Sequence, residues 1–375
     1  MLTTGRSPAV VGIHAMMQVL FRIPIPGLEH GLPIYGFGAM LFVTFVTTVW
    51  IAGRRAKLEG INPNHIADLA FCLFATGVLG ARIVYVWQYN VPWQQFFNLM
   101  DGGIVFYGSF IGGLLGGLGF HWFVIRKERI AFWLLADVVA PTVALGVGLG
   151  RLGCLMNGCC YGGVCPADVP AIHFPLLTAP AQSMLVPDYQ TLLGFHLHAI
   201  GPDAVVVGQL EPGSAAHTSG IQPGDRITHI DGQPVGGLIE ISARLGAAWP
   251  RGKRDVQFTV ERDGKSVTLL PYIPLSLGLH PTQLYETLSM VVLFVFLSAF
   301  YHVRRHNGQV FVLLMLGYAV HRFFNEMLRN DTTPVAFGLT LSQNISICIF
   351  VAGIILEAVL WNLLPHRTTA SAKPK

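Results

Sequence analysis

Charge is what this chain has least of. Asp, Glu, Lys and Arg make up 12% of its 375 residues, about half the roughly 25% usual in soluble domains, and the mean hydropathy is +0.54. That balance excludes a single soluble globule, a disordered tail protein and a nucleic-acid binder with a basic face. Cysteine is also sparse: six residues, four of them between Cys154 and Cys165, are too few for a disulfide scaffold. Residues 1–10 lack the charged region, apolar core and small-residue cleavage site of a signal peptide, so targeting falls to the first membrane helix. The chain has no HExxH for an intramembrane metalloprotease, and Ser109 in FYGSF does not supply the GxSG of a rhomboid-type protease. Proteolysis fails on its required atoms.

Long apolar runs are what the chain has instead. A hydrocarbon core of about 30 Å takes about 20 helical residues, and runs of that order lie near 35–53, 65–87, 104–125, 131–152, 284–303, 309–328 and 339–362. Buried helices of a large soluble protein would show a polar face with a 3.6-residue period, which Ala39 to Ile51 lacks. The fold class expected is therefore an α-helical polytopic membrane protein with seven transmembrane helices. Basic clusters follow span 1 (Arg54, Arg55, Lys57), span 3 (Arg126, Lys127, Arg129), span 5 (Arg304, Arg305) and span 7 (Arg367, Lys373, Lys375). If the spans alternate, all four fall on one side, which the positive-inside rule makes cytoplasmic. The N-terminus and the connections after spans 2, 4 and 6 are then outside, and the C-terminus is cytoplasmic.

Between spans 4 and 5 the composition changes: residues 194–274 hold 15 of the 44 charged residues. A small β-rich domain is expected there, dividing the membrane part into 1–193 and 275–375. Strand-like runs at 204–207, 226–230, 256–261 and 266–270 alternate with the turn signals Pro212-Gly213, Pro223-Gly224-Asp225, Asp231-Gly232 and Asp263-Gly264, and 239–249 reads as a helix. The order EPGSAAHTSGIQPGDRITHIDGQPV (211–235) resembles bacterial PDZ domains, with Leu193-Gly194-Phe195 where their carboxylate-binding loop stands. That likeness implies a peptide C-terminus added to a sheet edge; a spacer of the same shape that binds no peptide is the plainer alternative.

Charges inside spans cost roughly 2.5–3.5 kcal/mol each on insertion scales, which makes them functional candidates. With the orientation above, Arg82, Arg151, Arg322 and Glu326 gather in the outer half of the membrane, where Tyr35 and Tyr107 open spans 1 and 3. Arg322 and Glu326 are four residues apart on one helix and can pair. Asp68 and Asp137 sit at the inner ends of their spans, leaving Arg82 and Arg151 without a carboxylate in this reading. Guanidinium clasps phosphate in a bidentate fork, so the uncompensated charge points to a phospholipid headgroup. The glycines of spans 3 and 4 (Gly108, Gly112, Gly116, Gly146, Gly150) read first as close helix packing.

The motifs LPIYG (32–36), LGARIVYVWQYN (79–90), DGGIVFYGSFIGG (101–113), GVGLGRLGCLMNGCCYGG (146–163), HPTQLYE (280–286) and GYAVHRFFNEMLRND (317–331) resemble, in this order, the prolipoprotein diacylglyceryl transferases. Membership implies transfer of the diacylglyceryl group of phosphatidylglycerol to the lipobox cysteine of a preprolipoprotein, in the bacterial cytoplasmic (inner) membrane. By motif position, Tyr35, Arg82, Arg151, Asn157, Gly162, Tyr318 and Arg322 are then the phosphatidylglycerol-binding set, and Arg151, Arg322, Glu326 and Tyr107 the catalytic set. No cofactor or metal is required by that chemistry. The partners implied are phosphatidylglycerol and other membrane lipid, preprolipoprotein signal peptides, and peptide C-termini at the PDZ-like insert. Roles for His280 and Glu286 in substrate positioning rest on the resemblance alone.

Two departures from the family pattern bear on function. Tyr107 stands where many members have His, and a phenol that titrates near 10 is a poorer base at neutral pH; Glu326 is the other candidate. Cys154 and Cys159 replace residues that are commonly polar. With Cys160 and Cys165 they could form disulfides, remain packed thiols, bind a metal, or act as a nucleophile that carries the lipid. A non-catalytic descendant that binds lipoprotein precursors through the insert is the alternative function.

Overall fold

A computed structural model describes residues 19–24, 31–92, 94, 96, 105–163, 171–173, 193–201, 204–210, 214–241, 244, 255–274, 278–329 and 334–365. A short hairpin of β1 (Val19–Ile23) and β2 (Leu32–Tyr35) leads into helices α1 (Gly36–Leu58), α2 (Pro63–Gln88), α3 (Phe106–Phe120) and α4 (Phe132–Asn157). Helix α3 continues as a π-helical turn, His121–Ile125. After the insert come α6 (Thr282–Phe300), α7 (Gln309–Met327) and α8 (Leu341–Leu363). These seven are long and apolar enough to cross a membrane, and each falls on one of the expected runs. The chain is a multi-pass membrane protein.

Helix starts follow local chemistry. The Asn62 side chain accepts the Asn64 amide at 3.0 Å, with Pro63 at the first helical position of α2. At α8, Thr340 Oγ1 accepts the Gln343 amide at 3.2 Å while Gln343 Oε1 accepts the Thr340 amide at 3.0 Å. This reciprocal capping box was readable as Thr-x-x-Gln.

The described residues fall into two compact units. One takes Met1–Phe42, Leu149–Leu288 and Arg322–Asn344, the other Val43–Gly148, Ser289–His321 and Ile345–Lys375. In the second, α2 and α3 touch backbone to backbone. A Cβ added at Gly80 would lie 2.3 Å from Gly108 O, and one at Gly108 would lie 2.3 Å from Gly80 O. The packing reading of the span 3 glycines holds there. The same unit contains a buried ionic cluster. Arg304 donates to Glu59 at 2.8 Å and lies 3.3 Å from Asp137, whose carboxylate accepts the Gly308 and Phe311 amides at 2.8 and 3.0 Å.

Within the first unit, the insert is an antiparallel sheet ordered β4 (Phe195–Ala199), β5 (Val205–Leu210), β6 (Arg226–Ile230), β8 (Phe258–Arg262), β9 (Lys265–Thr268), with β7 (Gln233–Pro234) on β6 and a short helix α5 (Ala215–Ser219). Its core packs Leu193, Phe195, Val207, Ile227, Ile241, Phe258, Val260 and Tyr272. Asp263 (φ 52°) and Gly264 (φ 73°) turn the β8–β9 hairpin, as an Asp-Gly pair should. Strand β4 is not among the expected runs, since its first residue, Phe195, falls in the loop expected at 193–195; it pairs with β5 as an edge strand. Of the expected 239–249 helix, residues 238–241 and 244 are helical and the rest lies outside the described residues, as does Pro212-Gly213.

Candidate functional site

The site in the first unit is built on the C-terminal part of α4, the N-terminal part of α6 and the C-terminal part of α7. Arg151, two turns before the end of α4, directs Nε to Glu286 Oε2 at 2.9 Å. Arg322 on α7 reaches the same oxygen at 3.8 Å through Nη1, and its Nη2 lies 2.7 Å from Glu326 Oε2. Arg329 Nε is 3.9 Å from that Glu326 oxygen. Ser342 Oγ accepts from Arg322 Nη2 at 3.0 Å, Thr340 Oγ1 donates to Glu326 Oε1 at 3.1 Å, and Asn325 Nδ2 donates to Glu286 Oε2 at 3.2 Å.

Glu286 and Glu326 are both buried. Their environment, and the three guanidinium groups around them, sets the charge of the site. Among the described residues three cations face two carboxylates, an excess of positive charge in surroundings that screen it poorly. Arg322 Nη1, Glu286 Oε1, Gln283 Oε1 and Asn325 Oδ1 are buried without a hydrogen-bond partner. Buried polar groups normally find partners; here the one spare donor, Arg322 Nη1, suits an acceptor group, and the three spare oxygens suit donors.

The expectation that Arg151 lacks a carboxylate is corrected: Glu286, in the HPTQLYE motif, pairs with it. The error came from searching for partners on the same spans, whereas the partner is 135 residues further along the chain. Arg329 was also missed, although it sits three residues after Glu326 and close enough in sequence to share its carboxylate. Arg322 and Glu326 pair as their i, i+4 spacing predicted.

The other expected residues are placed as follows. Tyr35 ends β2 with its side chain exposed. Asn157 is the last residue of α4, its Nδ2 3.6 Å from Cys159 Sγ. Gly162 is wedged between two backbones: its amide donates to His280 O at 3.0 Å, and an added Cβ would lie 2.6 Å from His280 Cβ and 2.8 Å from both His280 O and Leu328 O. Its amide is committed to this contact, and only glycine fits. Arg82, Tyr107 and Tyr318 belong to the second unit. Arg82 is buried, with Nε donating to Phe96 O at 2.8 Å and the Tyr85 ring 5.1 Å from its guanidinium carbon. Tyr107 lies in the first turn of α3, its side chain outside the described residues. Tyr318 precedes Arg322 by four residues on α7. His280 Nδ1 lies 3.5 Å from Tyr285 Oη.

Beside the arginines is a group of thiols. Cys154, Cys159 and Cys160 are free, with sulfur atoms within 4.8 Å of one another; Cys165 lies outside the described residues. Gly158 (φ 72°) and Cys160 (φ 63°) turn the chain back after α4, and the Cys159 amide donates to Cys154 O at 3.1 Å. Helix α6 pins the loop, with Thr282 Oγ1 donating to Cys160 O and Gln283 Nε2 to Cys159 O, each at 2.7 Å. Hydrogen bonds from the Cys154 and Cys159 thiols hold the Cys160 thiol below its ordinary range, and the charges of Arg151 and Arg329 add to the effect.

The sequence profile of the prolipoprotein diacylglyceryl transferase family matches residues 26–359. A phosphatidylglycerol–prolipoprotein diacylglyceryl transferase of Rhodopirellula baltica is 32% identical over 244 residues, an alignment that spans 58% of this chain and 48% of that protein. Proteins of the same name from Clostridium tetani and Proteus mirabilis are 24% and 28% identical, over 90% and 86% of this chain and 96% and 86% of their own length.

Proposed function

Because the chain belongs to the prolipoprotein diacylglyceryl transferase family, we propose that it transfers the diacylglyceryl group of phosphatidylglycerol to the lipobox cysteine thiol of preprolipoproteins, the first step of lipoprotein maturation, in the bacterial inner membrane. The observation that carries this reading at the level of the site is the meeting, among the described residues, of three guanidinium groups with two buried carboxylates, Arg322 Nη1 making a 3.8 Å ion pair but no hydrogen bond. A phosphate ester is the anion a membrane supplies in quantity.

In the reaction, the thiol sulfur attacks the glyceryl carbon that bears the phosphate ester, the C–O bond breaks, and glycerol phosphate leaves with the electron pair. Charge develops on the leaving phosphate. Arg151 and Arg322 stabilise it through preorganised hydrogen bonds, which in a water-poor site are worth more than in solution. Glu326 is a positioning residue: paired with Arg322 and held by Thr340, it fixes the guanidinium plane. Glu286 does the same for Arg151. By motif position Arg82, Tyr35, Tyr318 and Asn157 belong to the phosphatidylglycerol-binding set, and Gly162 shapes the loop after α4. Tyr107 remains the motif's candidate for the thiol's base.

The insert, residues 194–274, supports a PDZ-like role. Edge strand β4 follows Gly194 (φ 81°), whose carbonyl accepts from Ser214 Oγ at 3.1 Å, so a peptide C-terminus can add along β4. The basic clusters after spans 1, 3, 5 and 7 support an outside N-terminus and an insert on the outer face.

The test is direct. Purified protein in phosphatidylglycerol vesicles, given a lipobox peptide, should add the mass of one diacylglyceryl group to the peptide and release glycerol phosphate. A peptide that binds yet keeps its mass in phosphatidylglycerol would sink the proposal in favour of a non-catalytic binder. Removing 194–274 should narrow client range or slow transfer; unchanged transfer to all clients makes the insert a spacer.

A further inference from the structure

A thiol-alkylating enzyme needs a thiolate, and a tyrosine near the expected base position supplies one poorly at neutral pH. The three-cysteine cluster offers another route. The fit begins with geometry. With a Zn–S bond of about 2.3 Å and tetrahedral angles, sulfur atoms around zinc stand about 3.8 Å apart, and the sulfur atoms of Cys154, Cys159 and Cys160 already lie within 4.8 Å of one another. The left-handed backbone at Gly158 and Cys160 and the two hydrogen bonds from α6 hold that arrangement before any ligand arrives. The spacing Cys154-x4-Cys159-Cys160 lacks the paired knuckles of common zinc sites. The chain reversal after α4 brings the sulfurs together without them.

Charge fits as well. Zinc(II) with three thiolates carries a net charge of −1, and Arg151, one turn before Cys154 on α4, supplies a cation nearby. Position fits too. Cys154 follows Arg151 by three residues on α4, so both face one side within a single turn. Gln283, which pins the Cys159 carbonyl, precedes by three residues the Glu286 that pairs with Arg151.

We propose that Cys154, Cys159 and Cys160 form a zinc(II) site whose fourth position takes the thiol of the incoming lipobox cysteine. Three thiols, counted among the described residues, with a fourth position left to the substrate make the pattern of a catalytic rather than a structural zinc. A thiol bound to zinc is deprotonated outright, its proton passing to solvent. The zinc-bound sulfur forms the C–S bond as the C–O bond to phosphate breaks, and the phosphate monoester leaves with the electron pair onto Arg151 and Arg322. The neutral thioether is a weaker ligand than a thiolate and leaves the metal. This inference rests on the proposed transferase reading.

The experiment uses the full-length protein in detergent, stripped with a chelator under reducing conditions and titrated with zinc(II) or cobalt(II). One zinc per chain is expected, and cobalt should give the intense d–d and thiolate charge-transfer absorption of a tetrahedral sulfur-rich site. Adding a lipobox peptide should shift that spectrum, while a Cys→Ser lipobox peptide should not. Transfer should fall at least 10-fold on stripping and return with zinc. Cys154→Ser, Cys159→Ser or Cys160→Ser should lose the cobalt spectrum; Cys72→Ser and Cys348→Ser should leave spectrum and transfer unchanged.

Three results overturn the proposal: full transfer by protein that is free of metal, wild-type protein without the cobalt spectrum, or a disulfide among the three cysteines in active enzyme. Wild-type readings decide the matter even if a cysteine variant misfolds. A bound zinc with no transfer under any condition would instead sink the transferase reading and leave the metal site standing.

Discussion

Two ionic clusters among the described residues, one in each unit, are built to opposite rules. In the second unit a single cation, Arg304, lies between two acids, Glu59 and Asp137, and Asp137 also caps the start of α7 through the Gly308 and Phe311 amides. Tyr301 adds a hydroxyl to Glu59 at 2.9 Å. In the first unit three cations, Arg151, Arg322 and Arg329, share two acids. Burial alone therefore does not mark function in this protein, since both clusters are buried. What separates them, among the described residues, is stoichiometry: around Arg304 the acids outnumber the cation and Asp137 pins α7, whereas around Glu286 and Glu326 the cations outnumber the acids, which suits the proposed anionic ligand.

Breaking each cluster should accordingly damage different properties. The largest effect expected is from Arg151→Ala, which should lower transfer per folded molecule by at least about 10²–10³-fold, the size of losing one preorganised donor to a developing oxyanion. Buried Glu286 loses its nearest cation but keeps Asn325 and Arg322 beside it, so the thermal midpoint should fall less than in Arg304→Ala. Near wild-type turnover would remove Arg151 from the chemistry. Arg304→Ala reverses the pattern: stranding Glu59 and Asp137 should cost about 3–5 kcal/mol, seen as a lower melting temperature in detergent, with transfer per folded molecule little changed. A milder probe is Arg322→Lys, which keeps the charge and loses the planar fork; a loss of roughly 10–100-fold in kcat/KM is expected, corresponding to one charge-assisted hydrogen bond. Thr340→Val should be the smallest, about 1 kcal/mol from the lost cap of α8, plus a modest fall in kcat as Glu326 loses a donor. If Thr340→Val proved as harmful as Arg151→Ala, Glu326 would have to touch substrate rather than position Arg322.

How much of this was legible follows from how far apart the partners lie in the chain. Helices announce themselves locally, by apolar run length and by caps such as Asn62-Pro63 and Thr340-x-x-Gln343, so seven spans could be placed to within a few residues. The Arg322–Glu326 pair is one helical turn apart and was equally open to reading. Arg151 and Glu286 are not. No periodicity connects residues separated by the whole insert, and a charge count along single spans wrongly left Arg151 alone. The cysteines were legible as a group but their state was not: the free, converging thiols depend on positive φ at Cys160, a conformation that non-glycine residues seldom adopt and that composition does not signal.

The glycine wedge at the signature loop bears on how such a chain came to be assembled. Gly162 and Gly163 donate to His280 O and Leu328 O, His280 returns a bond to Gly163 O, and β3 (Ile172–His173) pairs with β10 (Gly278–Leu279). The polypeptide thus leaves the membrane part and comes back to it through one closed clasp, so whatever is spliced between has its two ends already held together. Long insertions between fixed ends add little to the entropy of closure. The clasp works as a socket: an independently folding module can be exchanged there while the lipid-handling helices keep their register.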